Sequence, residues 1–295
     1  MIQKIRIGSR ESQLAVTQAE IVKHMIEEAY PKAEVSIVTM KTTGDKILDR
    51  NLDQIGGKGL FVKELDQALL AGKIDLSVHS LKDMPMALPE NLPILAFTKR
   101  EDPRDVLVYR SGESVIPENG LIGTSSKRRM LQLKKLYPVC RFQGIRGNVQ
   151  TRIKKLEMEG LDATVLAAAG LARLGMSGTA GRFFSVEEMI PAAGQGILAV
   201  QGRAGEFGEL HAVLNDECSE IMALAERAFV KKLDGGCSSP IAAHAHVIAE
   251  EVVLRGLYYR ESDEMYFVEE CRGKKEFAQE IGECLAKKMK EKYGE

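Results

Sequence analysis

The chain has 295 residues, room for about two or three domains with ample cores, so a mini-protein held by staples is excluded. Apolar residues make up 44% and charged residues 28%, ordinary for a folded globular protein, and no window approaches the ~20 uninterrupted apolar residues of a membrane span. With 41 basic and 42 acidic residues the net charge is −1, which argues against a surface built throughout for nucleic acid. The N-terminus reaches Lys4 and Arg6 without an apolar signal core, so the expected address is cytoplasmic.

Residues 2–8 alternate like a short strand, and Ser9 is placed to cap a helix carrying Leu14, Ala15, Ala19, Val22, Met25, Ile26 and Ala29 until Pro31 stops it. Residues 35–40 read as a second strand, 56–59 as a glycine-rich loop, 60–70 as a helix ended by Gly72, and 74–78 as a buried strand. That alternation predicts a mostly parallel sheet with helices on its faces. Residues 99–104 form a charged, proline-bearing break that suits a linker, after which strand and helix patterns resume at Val106, Leu121, Met130, Asn148 and Ala163. A second break at 191–196 leads into a strand at 197–201 and a helix at 217–232. Three further strands (241–248, 252–259, 265–270) and an amphipathic helix (274–292) then predict a small α+β domain.

Charge is unevenly spread. Between Leu121 and Leu156 lie ten basic residues and no acidic one, leaving −11 for the rest of the chain. Within that stretch Gly123-Thr124-Ser125-Ser126-Lys127-Arg128-Arg129 sits between a strand and a helix, so hydroxyls, backbone N–H groups and guanidiniums converge at a helix N-terminus. Residues 144–152 repeat the arrangement, with Asn148 as the cap, Arg146 before it and Arg152 one turn along. Either run alone reads as a solvated helix face, but two in an acid-free stretch favour an anion site. Tyr137 and Phe142 are its only aromatics, too few to favour a stacking surface for nucleic acid.

Residues 78–85, containing His79, Lys82 and Asp83, follow an apolar strand and emerge where α/β proteins place ligands; the bland alternative is a turn with Asp83 as its cap. The five cysteines, Cys140, Cys218, Cys237, Cys271 and Cys284, include no Cys-x-x-Cys pair, so reduced thiols are expected. Gly235-Gly236-Cys237 puts one of them in a closely approachable loop, where it is either an incidental cysteine or a nucleophile and attachment point. His244 and His246 share a strand face but have no third ligand at sensible spacing, so no metal is expected. Gly194-Gln195-Gly196 imitates a dinucleotide fingerprint yet leads into a strand, so that reading is rejected.

Taken in order, these segments resemble the porphobilinogen deaminase (hydroxymethylbilane synthase) family over nearly the whole length. The resemblance is carried by residues 7–15, Thr42-Thr43-Gly44-Asp45, Gly57-Lys58-Gly59-Leu60-Phe61, the Asp83 loop, both arginine runs and Gly235-Gly236-Cys237. Departures are Lys127 before the arginine pair, where an apolar residue is common, and Ser238-Ser239 after the cysteine, where the family varies. The resemblance implies an α/β fold of three domains, two periplasmic-binding-protein-like lobes around a cleft plus a small α+β domain. The expected boundaries are 1–98 with 197–214, 103–192, and 217–295. It implies an enzyme that joins four porphobilinogen molecules head to tail with loss of ammonia, then releases hydroxymethylbilane by hydrolysis. It further implies a covalent dipyrromethane cofactor on a thioether to Cys237, with Asp83 and Lys82 catalytic and the cofactor also held by Arg128, Arg129, Ser126 and Thr124 together with that pair. Substrate-binding positions are Arg10, Gln18, Phe61, Arg146 and Arg152, and the expected state is a monomer without nucleic-acid or membrane partners. The alternative from another class is a non-catalytic two-lobed carboxylate-binding protein.

Overall fold

Fully buried Ile5 and Ile7 fix one face of the first strand, and Ala15, Ala19, Val22 and Ile26 line the inner side of the helix that follows, at the spacing of a single helical stripe. The computed structural model describes residues 4–42, 62–235 and 239–294. From the N-terminus the chain runs β1 (Lys4–Arg10), α1 (Gln13–Ala29), β2 (Glu34–Met40), α2 (Lys63–Leu70), β3 (Leu76–Ser80), a 3-10 turn (Leu81–Asp83) and β4 (Ile94–Phe97). It crosses to β5 (Asp105–Tyr109), β6 (Leu121–Gly123), α3 (Lys127–Leu136), β7 (Arg141–Gln143), α4 (Val149–Met158), β8 (Ala163–Ala167), α5 (Ala168–Arg173) and β9 (Arg182–Phe183), then returns as β10 (Leu198–Gly202). After α6 (His211–Leu214) come α7 (Glu217–Lys232), β11 (Ala242–Ile248), β12 (Glu251–Arg260), β13 (Met265–Lys274) and α8 (Ala278–Tyr293).

Two five-stranded sheets share one plan. In the first the order is β2-β1-β3-β10-β4, in the second β7-β6-β8-β5-β9. Each has three parallel strands and then an antiparallel strand delivered by a crossing from the other domain: β10 against β3, and β5 against β8. The sheets are therefore mixed rather than mostly parallel, because a strand that re-enters from outside a βαβ unit is free to run the other way. The third domain packs α7 and α8 on the antiparallel β11-β12-β13 sheet around Phe229, Leu285 and Met289.

One local expectation changes. Ser9 is buried within β1, which stays in parallel register with β2 as far as Arg10, so the cap of α1 passes to Ser12, whose Oγ accepts from Ala15 N at 3.4 Å. Residues 99–104, read as a linker, form a crossing beside 191–196, with Glu101 N donating to Gly196 O at 3.2 Å, and a Cβ on Gly196 (φ +95°) would stand 2.3 Å from Glu101 O. Only glycine lets the two crossings run together there. The glycine loop at 56–59 lies outside the described residues.

Candidate active site

The apolar strand β3 ends at Ser80, and the 3-10 turn that follows is closed by its own backbone, Met84 N donating to Leu81 O at 3.1 Å. Leu81 and Met84 are fully buried and anchor the turn, while Lys82 between them is half-buried and Asp83 is exposed. Gln18, buried in α1, donates from Nε2 to Ser80 Oγ at 2.9 Å, so it steadies the end of β3 from beneath. His79 faces the other way, 2.9 Å from Ser77 Oγ. Burial, helped by the nearby Arg10 charge, pushes its imidazole down to about 4, and it stays neutral.

On the second sheet Ser126 caps α3, its Oγ accepting from Arg129 N at 3.4 Å, and Thr124 Oγ1 accepts from Ser126 N at 3.2 Å. Both hydroxyls shape the turn that aims α3. Asn148 caps α4 as expected, accepting from Thr151 N at 2.8 Å, and Ser125 Oγ donates to Ile145 O at 2.9 Å, tying the two basic runs together. Gly147 (φ +119°) leaves no room for a Cβ beside Thr151, and its carbonyl accepts from Arg152 Nε at 2.8 Å.

Arg128 and Arg129 meet a carboxylate that lies outside the acid-free stretch. Asp105, fully buried at the start of β5, accepts from Arg128 Nη1 at 2.7 Å and from Arg129 Nη2 and Nε at 2.7 and 3.1 Å. Burial by itself would raise the Asp105 carboxyl, and the two guanidiniums reverse this and hold it well below the ordinary carboxylate range. Sequence reasoning missed Asp105, because the residues that pair with it stand 23 and 24 positions away with no periodic relation to it. One carboxylate against two guanidiniums leaves the cluster positive. Removing either arginine also strands part of a buried charge, so Arg129→Leu should cost roughly 3 kcal/mol of stability, read as a lower urea midpoint at unchanged m-value. An unchanged midpoint would show that Asp105 needs only Arg128.

A second missed residue joins the two domains. Gln195, fully buried between Gly194 and Gly196, accepts from Lys82 Nζ at 3.3 Å and donates from Nε2 to Asp105 Oδ1 at 3.0 Å and Pro103 O at 2.7 Å. A polar side chain between two glycines was the available signal. Burial pushes the Lys82 ammonium down to about 8; Asp83 and Asp105 oppose that shift, while Arg129 and Arg128 reinforce it. Burial and the Arg129 and Arg146 charges push Arg152 down to about 10, with Asp83 pulling the other way. Lys82 and Asp83 from one domain and Arg128, Arg129, Arg146 and Arg152 from the other therefore form one electrostatic cluster. Arg10 stands at the end of β1, toward His79. Phe61 and Cys237 lie outside the described residues. Another unforeseen contact is Arg173 at the end of α5, whose Nη2 donates to Gly196 O at 2.6 Å.

Fold and site define a two-lobed α/β protein in which one exposed carboxylate is set among fixed cations at the junction of the lobes. The family model described as "Porphobilinogen deaminase, dipyromethane cofactor binding domain" matches residues 5–208, and its C-terminal domain model matches 221–291. The chain belongs to the porphobilinogen deaminase family, and it is accordingly a transferase of the hydroxymethylbilane synthase type with a dipyrromethane cofactor. It is 51% identical to the porphobilinogen deaminase of Acetivibrio thermocellus over 97% of this chain and 98% of that one. It is also 51% identical to the Ruminiclostridium cellulolyticum protein of the same name, over 98% of each. Among solved structures, the periplasmic aliphatic sulphonate binding protein SsuA from Escherichia coli is similar at TM-score 0.41 and 13% identity, covering 79% of this chain and 70% of that one.

Proposed function

We propose that the cluster at the lobe junction carries the stepwise head-to-tail condensation of four porphobilinogen molecules, with loss of ammonia at each addition and final hydrolytic release of hydroxymethylbilane. When bound, dipyrromethane supplies the pyrrole carbon from which the chain is extended. Each pyrrole unit carries an acetate and a propionate, and the donor set fits such a group. Burial, and after it the charges of Arg129 and Arg146, depress the Arg152 guanidinium, an arrangement that a polycarboxylate relieves. Arg128 and Arg129 are already half-committed to Asp105, so they serve as a fixed positive wall, while Arg146 and Arg152 bind incoming carboxylates.

Asp83 is exposed on a turn whose backbone is closed without it, which leaves its carboxylate to accept hydrogen bonds from pyrrole N–H groups and to balance the cation formed when ammonia departs. Lys82, held by Gln195, keeps a positive charge beside the Asp83 carboxylate. Cys237, five residues after the end of α7 in the sequence, is the attachment point. The single observation that supports this reading best is that Gln195 bridges Lys82, of the Asp83 turn, to Asp105, which pairs Arg128 and Arg129, so the acid's turn and the basic runs are joined by one side chain. The lobes on this reading are 1–98 with 197–214 and 103–192, with 217–295 as the third domain, in a cytoplasmic monomer without nucleic-acid partners. No helix among the described residues is long and apolar enough to cross a membrane.

Replacing Arg152 by Leu tests the assignment. An arginine paired with carboxylate in a partly dry cleft contributes roughly 1.5–3 kcal/mol, so the KM for porphobilinogen should rise about ten- to a hundred-fold. Normal turnover together with lost affinity for RNA or DNA would assign the basic stretch to nucleic acid instead.

A further inference from the structure

Asp83 is exposed, yet the chain on both sides of it is bound to the third domain. Leu81 and Met84 share a buried cluster with Phe97, Ile197, Ala199 and Ala223, the last of these on α7. Two residues beyond, Met86 packs on the third domain's core, a cluster that includes Phe229 and Val230 of the same helix. Between these contacts Arg227, one helical turn after Ala223, donates from Nη2 to the carbonyl of Pro85 at 2.6 Å and to that of Met86 at 3.3 Å. One guanidinium thus takes two successive carbonyls of the segment that begins two residues after Asp83. The neighbouring Glu226 turns to the crossings instead, accepting from Arg100 Nη1 at 2.6 Å and Gly194 N at 2.6 Å.

We infer that Arg227 is a positioning residue for the reaction: its Nη2 clamps the Pro85 and Met86 carbonyls to α7 and thereby fixes where the Asp83 carboxylate stands. The inference rests on the reading of Asp83 as the acting carboxylate. The third domain then does more than carry the attachment cysteine, because α7 sets the acid's position. Precision of this kind matters, since misplacing a catalytic group by about an ångström can cost a hundred-fold in rate.

The test uses Arg227→Met, which keeps an apolar stem but has no donor, and Arg227→Lys, each alone and the former also with Asp83→Asn. Single-turnover ammonia release is normalised to the fraction of protein carrying the covalent dipyrrole by intact mass. Arg227→Met should lower kcat about ten-fold with KM changed less than two-fold, Arg227→Lys should recover part of the loss, and Arg227→Met should cost nothing further in Asp83→Asn. Hydrogen exchange of the cofactor-free protein supplies a readout independent of turnover: the peptide covering 81–87 should exchange faster in Arg227→Met, with the strands of both sheets unchanged. A normal kcat in Arg227→Met beside a slow Asp83→Asn, an equal further loss in the double variant, or unaltered exchange over 81–87 would each overturn the clamp alone. Normal ammonia release by Asp83→Asn would overturn the reading of Asp83 and the clamp with it.

Discussion

Asp83→Asn is expected to keep the fold and to lose ammonia release on the order of a hundred- to a thousand-fold, the scale seen when one preorganised group facing developing charge is removed. The amide still accepts hydrogen bonds but does not balance a cation. The turn should survive, because its closing bond is Met84 N to Leu81 O and its anchors are the buried side chains of Leu81 and Met84. Asp83→Glu keeps the charge and displaces it by about one methylene, so it should retain more of the rate than the amide does. Lys82 supplies an internal control. Asp83 raises the Lys82 ammonium, which burial has brought down to about 8, so the amide variant should move that group lower and release its proton at a lower pH. Residual activity of Asp83→Asn measured well below pH 8, where Lys82 remains charged, isolates the loss of the carboxylate itself. A near-normal rate under those conditions would return Asp83 to the role of a surface turn residue.

Cys237→Ser is expected to yield folded protein without the covalent dipyrrole and without turnover, since a hydroxyl is a far poorer nucleophile than a thiolate near neutral pH. The other cysteines should be replaceable. Burial pushes the Cys140 and Cys271 thiols up, away from the thiolate form, and Cys218 and Cys284 are exposed on the helices α7 and α8. Intact masses of the five single Ser variants decide the matter. An adduct surviving in Cys237→Ser would move the attachment elsewhere.

The elements of the fold were legible where burial is periodic along the chain. The stripe of Ala15, Ala19, Val22 and Ile26 marks α1, and residues 217–232 were recognisable as a helix. Asp216 accepts from Ser219 N at its start, Glu217 and Glu220 stand in its first turn, and Lys231 and Lys232 in its last, each favoured by the helix dipole. The site's ingredients were legible for a similar reason: an acid at the end of an apolar strand and two capped helices in an acid-free stretch are local features.

The content of the elements, the caps, the basic stretch and the ordered motifs of the family are thus written in the chain. How charges are apportioned among them is settled by packing. Asp105 lies outside the acid-free stretch and neutralises part of it, Gln195 reaches Lys82 and Asp105 from a crossing segment, and Arg227 holds the Asp83 loop from a helix more than 140 residues later. The antiparallel entry of β5 and β10 likewise follows from where the crossings re-enter the sheets. Periodicity and capping act between near neighbours in the chain, whereas the pairing of a buried charge depends on which distant groups the packed core brings within hydrogen-bond reach of it.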